Sequence, residues 1–129
     1  MKQPGDLAAL FLTLARRDMK AFQRLSADPD IEDATVGFHA QQAAEKVLKA
    51  VLSAKSIAFR RTHDLAELMD LLADNQMALP PNADTLDELN PYAAELRYGF
   101  VEPHGLDRTK TQKVLESLFS WAENQVKDL

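Results

Sequence analysis

The chain has 129 residues, a formal net charge of −5 and no cysteine. A chain of this length forms one folded unit, so residues 1–129 are predicted to be a single domain. The composition excludes disulfides, thiol nucleophiles and cysteine-ligated metals, and the acidic balance argues against a nucleic-acid coat protein that needs a strongly basic surface. The apolar stretch near the amino terminus is too short and too interrupted for a membrane span or a signal peptide, and we therefore expect a cytoplasmic protein.

The first half of the chain predicts two amphipathic helices. Apolar residues recur at threes and fours from Leu7 to Leu25, which indicates helix one, ending near Asp28 and Pro29. Asp30 is a suitable N-cap for helix two, and the helical pattern then continues to about Ser56. At 1.5 Å per residue, helix two is predicted to be roughly 40 Å long.

The second half predicts three further helices. Their predicted starts are Thr62 or Asp64 for helix three, Asn90 with Pro91 for a short helix four, and Asp107 or Thr109 for the last helix. Residues 75–89 are predicted to be a loop with a helical turn near residues 85–89, and Gly99 is placed to end helix four before an irregular stretch at 100–105. No segment alternates like a strand. The predicted fold class is therefore all-α, an up-and-down bundle of four to five helices.

Helix two is the most informative of these helices. On a helical wheel, one arc is polar and the rest is nearly all apolar. The polar arc consists of Thr35, Gln42, Lys46, Lys49 and Ser53, with His39 at its edge. A helix that is apolar around most of its circumference is either the centre of its own bundle or faces a second subunit. We therefore expect homodimer contacts to involve helix two or helix four.

Gln41 and Glu45 lie one turn apart inside the apolar arc of helix two. A buried carboxylate costs several kcal/mol unless it is paired or neutralised. Two interpretations stay open: the helix is tilted so that both side chains reach water, or Glu45 has a cationic partner on a neighbouring helix. For that partner the candidate is Arg97 of helix four, with Arg16 and Arg17 of helix one as competitors.

A second polar cluster precedes helix three, with the sequence Arg60-Arg61-Thr62-His63-Asp64. Residues 62–96 contain eight acids and no lysine or arginine, so few places in the chain can supply an anion-binding surface. Two guanidinium groups beside unsatisfied amides at a helix start would form such a site. The alternative is a solvated loop with a helix cap, in which His63 only packs and fixes the turn.

A third cluster contains Arg97 and His104. Cleavage of a phosphodiester without a metal requires a group that exchanges protons near neutral pH and a cation that stabilises the charge on the phosphoryl oxygens. Histidine and arginine supply these two functions. The alternative is that Arg97 is a structural charge and His104 a surface loop residue.

Taken together, three segments of the chain resemble the HEPN family of small helical prokaryotic domains, and the resemblance extends from about Leu7 to Val126. The three segments are Phe38-His39-Ala40-Gln41-Gln42-Ala43-Ala44-Glu45-Lys46, Arg61-Thr62-His63-Asp64-Leu65 and Ala94-Glu95-Leu96-Arg97-Tyr98. The resemblance implies an all-α bundle that dimerises, binds nucleotides or RNA and works with a minimal nucleotidyltransferase in a toxin-antitoxin pair. The sequence contains neither a Glu-x-x-His pair nor a His-Glu-x-x-His pattern, so no metal and no cofactor are expected.

The resemblance also suggests roles for individual residues. The candidates for binding nucleotide or RNA are Arg60, Arg61, His63, Lys46 and Lys49, and those for supporting the site are Gln41, Glu45 and Tyr98. Many relatives are metal-independent endoribonucleases that carry an arginine and a histidine with four to six residues between them. Arg97 and His104 fit that pattern at its upper limit and would be the catalytic pair of a composite dimer site. This endoribonuclease is the alternative to a binding and interaction module, which the Arg97-Tyr98-Gly99 sequence favours.

Overall fold

A computed structural model describes residues 4–93 and 105–127 of the chain. The helices within these ranges are α1 (Pro4–Ser26), α2 (Asp33–Ala54), α3 (Leu65–Asp74), α4 (Ala83–Asp87) and α5 (Arg108–Val126), and residues 92–93 are also helical. No strand occurs in the described ranges, which confirms the all-α prediction. None of the described helices is both long enough and apolar enough to cross a membrane.

The predicted helix starts are partly confirmed. Asp64 caps α3 by accepting from the amide of Ala66, and Asp107 caps α5 by accepting from the amide of Lys110. The prediction that Asp30 caps helix two was wrong, because the amide of Asp30 donates to the Asp28 carboxylate in a turn and α2 begins only at Asp33. A carboxylate can satisfy its own turn instead of a following helix, and the sequence pattern does not distinguish the two arrangements.

The helical turn predicted near residues 85–89 is also displaced. It lies at Ala83–Asp87, about two residues earlier than expected, and a string of turns then leads to residue 92. The predicted end of helix four at Gly99 and most of the irregular stretch at 100–105 lie outside the described residues.

α2 is the central helix of the bundle. It packs chiefly against α1 and also contacts α5 and α3, and Ala40, Ala44 and Val47 have no exposed surface. The wide apolar arc is therefore covered by the helices of the same chain. Helix two is therefore the centre of its own bundle, and its wide apolar arc no longer supports a dimer contact through this helix. The polar arc is not a solvent-facing strip either, because Lys49 and Ser53 are buried.

At Gly37, α2 is in close contact with the segment after α4. A Cβ atom at position 37 would lie 2.2 Å from Cδ1 of Tyr92, so the aromatic ring rests directly on the α2 backbone. Any larger residue would push the ring out of its buried position. Glycine has a low helix propensity, but at position 37 its missing side chain lets the segment after α4 pack against α2.

Arg108, the first residue of α5, connects that helix to the turn between α1 and α2. Its guanidinium donates to the carbonyls of Ser26 (3.1 Å) and Asp28 (3.0 Å) and to that of Ile31, and it pairs with Asp33 at 3.1 Å. Three carbonyls at and beyond the end of α1 are therefore satisfied by one side chain. This contact fixes where α5 begins relative to α1 and α2.

Candidate functional site

The candidate site is centred on the carboxylate of Glu45, which is buried with only 3% of the residue exposed. Its Oε2 accepts from Nζ of Lys49 at 2.9 Å, and its Oε1 lies 2.9 Å from Nδ1 of His63. Oε1 also accepts from Nε2 of Gln41 at 3.2 Å and from Nε2 of Gln42 at 3.4 Å. Several donors thus converge on one buried charge, which is the condition under which a carboxylate is tolerated in an interior. We call Gln41, Gln42, Glu45, Lys49 and His63 the Glu45 cluster.

Of the two interpretations of Glu45, burial with a cationic partner is the correct one, but the prediction that this partner lies on a neighbouring helix was wrong. Lys49 follows Glu45 by one turn of α2, and the two form an ion pair that is shielded from solvent. The candidate Arg97 lies outside the described residues. Of the two competitors, Arg16 pairs instead with Glu123 of α5, and Arg17 forms no ion pair with any described residue. The spacing of four residues between Glu45 and Lys49 was the signal for this pair, since Glu before Lys at that spacing brings the side chains together.

Lys49 is itself held on two sides. Its ammonium group lies 5.8 Å from the ring centroid of Phe59, and that ring packs against Phe11 of α1 with centroids 6.1 Å apart. The aromatic face and the Glu45 carboxylate together replace the hydration shell that surrounds the ammonium group of an exposed lysine. A buried lysine of this kind supports the position of Glu45 and is not free to reach a ligand.

His63 lies at the edge of the Glu45 cluster, in a turn whose backbone is fixed. The carbonyl of His63 accepts from Nε2 of Gln41 at 2.9 Å, and the hydroxyl of the buried Thr62 accepts from the amide of Asp64 at 3.1 Å. The His63 side chain nevertheless remains 58% exposed. Its ring is therefore anchored through Nδ1 to a buried carboxylate while much of it faces solvent.

The amides at the start of α3 do not form the anion site that the sequence suggested. The Asp64 carboxylate accepts from the amide of Ala66 at 2.9 Å, and Oδ1 of Asn90 accepts from the amide of Leu65 at 2.8 Å. Because these donors have partners inside the protein, an incoming anion would have to displace them. Asn90, predicted to cap helix four, thus directs its side-chain oxygen to the start of α3.

The two arginines before α3 differ in their surroundings. The Arg60 guanidinium forms two hydrogen bonds to Glu67, at 2.8 and 2.6 Å, and this contact with a carboxylate raises the pKa of Arg60 above its ordinary value. Arg61 is exposed, and none of the described residues forms a hydrogen bond or an ion pair with it. Of this pair, Arg61 is the cation left available at the surface.

Lys46 lies in a different cluster. Asp18 of α1 accepts from Nζ of Lys46 at 2.5 Å, and its other carboxylate oxygen lies 3.1 Å from Nδ1 of His39. All three side chains are partly buried, with 14% of the Asp18 side chain exposed. The structure therefore does not bring Lys46 to the Glu45 cluster. Asp18 was not singled out from the sequence, because a lone aspartate on helix one gives no sign of what faces it.

Chemically, the Glu45 cluster presents a histidine of fixed orientation. A carboxylate that accepts at Nδ1 favours the tautomer in which Nε2 carries the free lone pair, so Nε2 can accept a proton or, once protonated, donate to an anion. Arg97, Tyr98 and His104 lie outside the described residues. Within the described ranges, no group of three or more histidines, aspartates and glutamates is arranged to hold a metal ion.

Comparison with known protein families identifies a matching family. The family model for the HEPN domain matches residues 8–127, nearly the whole chain. Comparison with curated proteins found no match, and comparison with solved structures found none.

Proposed function

Because the chain belongs to the HEPN family, a nucleotide- or RNA-related module, we propose that it binds the phosphate of a nucleotide or of RNA beside the start of α3, through Arg61 and His63. The observation that carries this proposal is the geometry of His63: anchored at 2.9 Å to a carboxylate that is almost fully buried, yet itself 58% exposed. A side chain whose orientation is fixed from beneath and whose other edge faces solvent is already arranged for a ligand.

The remaining members of the cluster position His63. Glu45 fixes the ring, Lys49 neutralises the charge of Glu45, and Gln41 ties the His63 backbone to α2. Arg60, which is bound to Glu67, would contribute long-range attraction for an anion. Lys46, bound to Asp18, would do the same only if its ion pair opened.

Mononucleotide binding by the purified protein, measured by titration calorimetry, tests this proposal. His63→Gln and Arg61→Gln are each expected to weaken binding about tenfold, because each removes one contact to phosphate from a side chain placed at this site. His39→Gln is the matched control, since His39 also lies beside a carboxylate but is only 26% exposed and lies in the other cluster. Equal losses for His39→Gln and His63→Gln would contradict the assignment of the site.

We also propose that the domain is a homodimer and serves a minimal nucleotidyltransferase partner in a toxin-antitoxin-type system. Family membership supports this proposal. Co-expression with a nucleotidyltransferase encoded beside it, followed by measurement of the mass in solution, is expected to give a complex that contains two copies of this chain. A monomer that recovers no partner would count against the proposal.

The endoribonuclease alternative depends on Arg97 and His104. Incubation of the wild type with RNA in the presence of a chelator distinguishes it from the binding module. A binding module leaves the RNA intact, whereas a nuclease cuts it and loses that activity in Arg97→Ala and in His104→Ala.

A further inference from the structure

The exposed side of α1 carries a row of cations. Arg17, Lys20 and Arg24 are all exposed, and their spacing of three and four residues places them on one face of the helix. The row is roughly 10 Å long, from the rise of 1.5 Å per residue. The opposite side of α1, with Ala8, Ala15 and Phe22, is buried in the core, so the three cations point away from the bundle. We call Arg17, Lys20 and Arg24 the α1 basic row.

The α1 basic row has no neutralising partner among the described residues. Arg16, beside it, already pairs with Glu123, and Asp18, the acid within this stretch of α1, is turned toward α2, where it contacts Lys46 and His39. The row is bounded at its far end by the exposed Asp28 and Asp30 of the following turn. In a chain of net charge −5, three unpaired cations on one helical face form a distinct local surface.

From this surface we propose that the outer face of α1 binds the sugar-phosphate backbone of single-stranded RNA. The ligand class rests on the proposed function, but the surface is separate from the Glu45 cluster. Thr13 and the small, partly buried Ala21 lie beside the row on this face, and one apolar side chain, Leu10, is 41% exposed beyond Thr13, outside the row itself. Protein interfaces need apolar or aromatic anchors in their centre, whereas contacts to phosphate need only cations and polar groups. The composition of this face therefore favours a phosphate backbone over an acidic protein.

The salt dependence of binding measures the number of phosphate contacts. For single strands, the logarithm of the binding constant falls with the logarithm of the salt concentration with a slope of about −0.7 per contact, so three contacts contribute about −2. Between roughly 50 and 200 mM salt, this contribution corresponds to a change in affinity of about 20-fold. Arg17→Gln/Lys20→Gln/Arg24→Gln is expected to remove it.

The test uses the full chain and a labelled 2′-O-methyl oligouridylate, which has no free 2′-hydroxyl for cleavage, with fluorescence anisotropy as the readout. The control Lys110→Gln/Lys113→Gln/Lys127→Gln removes the same charge from exposed positions on and just after α5 and is expected to change the slope less. Unfolding midpoints of both triple variants should match that of the wild type, since all six side chains are exposed.

Three results would overturn the proposal: no binding by the wild type at low salt, an unchanged slope in the α1 variant, or an equal change in both triple variants. Binding of polyglutamate with the same affinity and slope would also overturn it, in favour of an acidic protein partner. Failure at α1 is distinguishable from failure of the proposed function, because mononucleotide binding and its loss in His63→Gln do not involve the α1 basic row.

Discussion

The ion pair between Glu45 and Lys49 allows a quantitative test of the buried cluster. Glu45→Gln removes the charge that neutralises Lys49, whose side chain is only 10% exposed. Leaving an ammonium group buried without a counterion is expected to lower the free energy of unfolding by about 3 kcal/mol, at the lower end of the range for broken buried pairs because the Phe59 ring remains. Lys49→Met leaves the carboxylate with its donors Gln41, Gln42 and His63, so a loss of about 2 kcal/mol is expected.

The double variant distinguishes coupling from two independent losses. With both charges removed, nothing buried remains unneutralised, so the double variant should lose about 2 to 3 kcal/mol instead of the sum of about 5. The coupling energy is then about 2 to 3 kcal/mol. Urea unfolding followed by the fluorescence of Trp121 measures it, since this is the one tryptophan of the chain and lies partly buried on α5.

The ion pair between Arg16 and Glu123 is the control for this cycle. Its side chains are 54% and 56% exposed and 3.3 Å apart, so the same cycle with glutamine at both positions should give a coupling of less than about 1 kcal/mol. If the losses for Glu45 and Lys49 instead add to within about 0.5 kcal/mol, the two charges do not depend on each other and the reasoning about the cluster is refuted.

Three further variants test contacts that fix the fold around the site. Gly37→Ala should destabilise the protein by about 2 kcal/mol despite the better helix propensity of alanine, because Cβ would meet the Tyr92 ring; a rise in stability by urea unfolding would contradict this contact. Arg108→Lys should lower the melting temperature by several degrees, since an ammonium group cannot reach all the carbonyls that the guanidinium holds. An unchanged melting temperature would show that these hydrogen bonds do not stabilise the fold. Asn90→Ala should cost about 1 kcal/mol and accelerate hydrogen exchange at the Leu65 amide, whereas unchanged exchange there would rule out this cap.

Local signals in the sequence were sufficient for the helices and some of their ends. Asp64 and Asp107 were each one of two candidates for the start of a helix, because a short acidic side chain before an apolar pattern satisfies the first amides of a helix, which depends only on neighbouring residues. The same reasoning failed at Asp30, whose backbone amide bonds to Asp28 in a turn. The position of Glu45 among apolar residues also followed from the sequence, since it depends only on the helical period, but whether the carboxylate is buried or reaches water was decided by the packing.

The partners of the buried and capping side chains were decided by tertiary structure. Glu45 meets His63, eighteen positions away, because the turn before α3 returns to the middle of α2, and the side chain of Asn90 reaches back to the start of α3. Periodicity specifies which face of a helix is buried, but not which residue of a distant segment faces it. For this protein the sequence by itself determined an all-α fold with a charged residue in the apolar arc of helix two. Only the packing of the helices determined that this residue is buried in the central helix and that an exposed histidine is anchored on it.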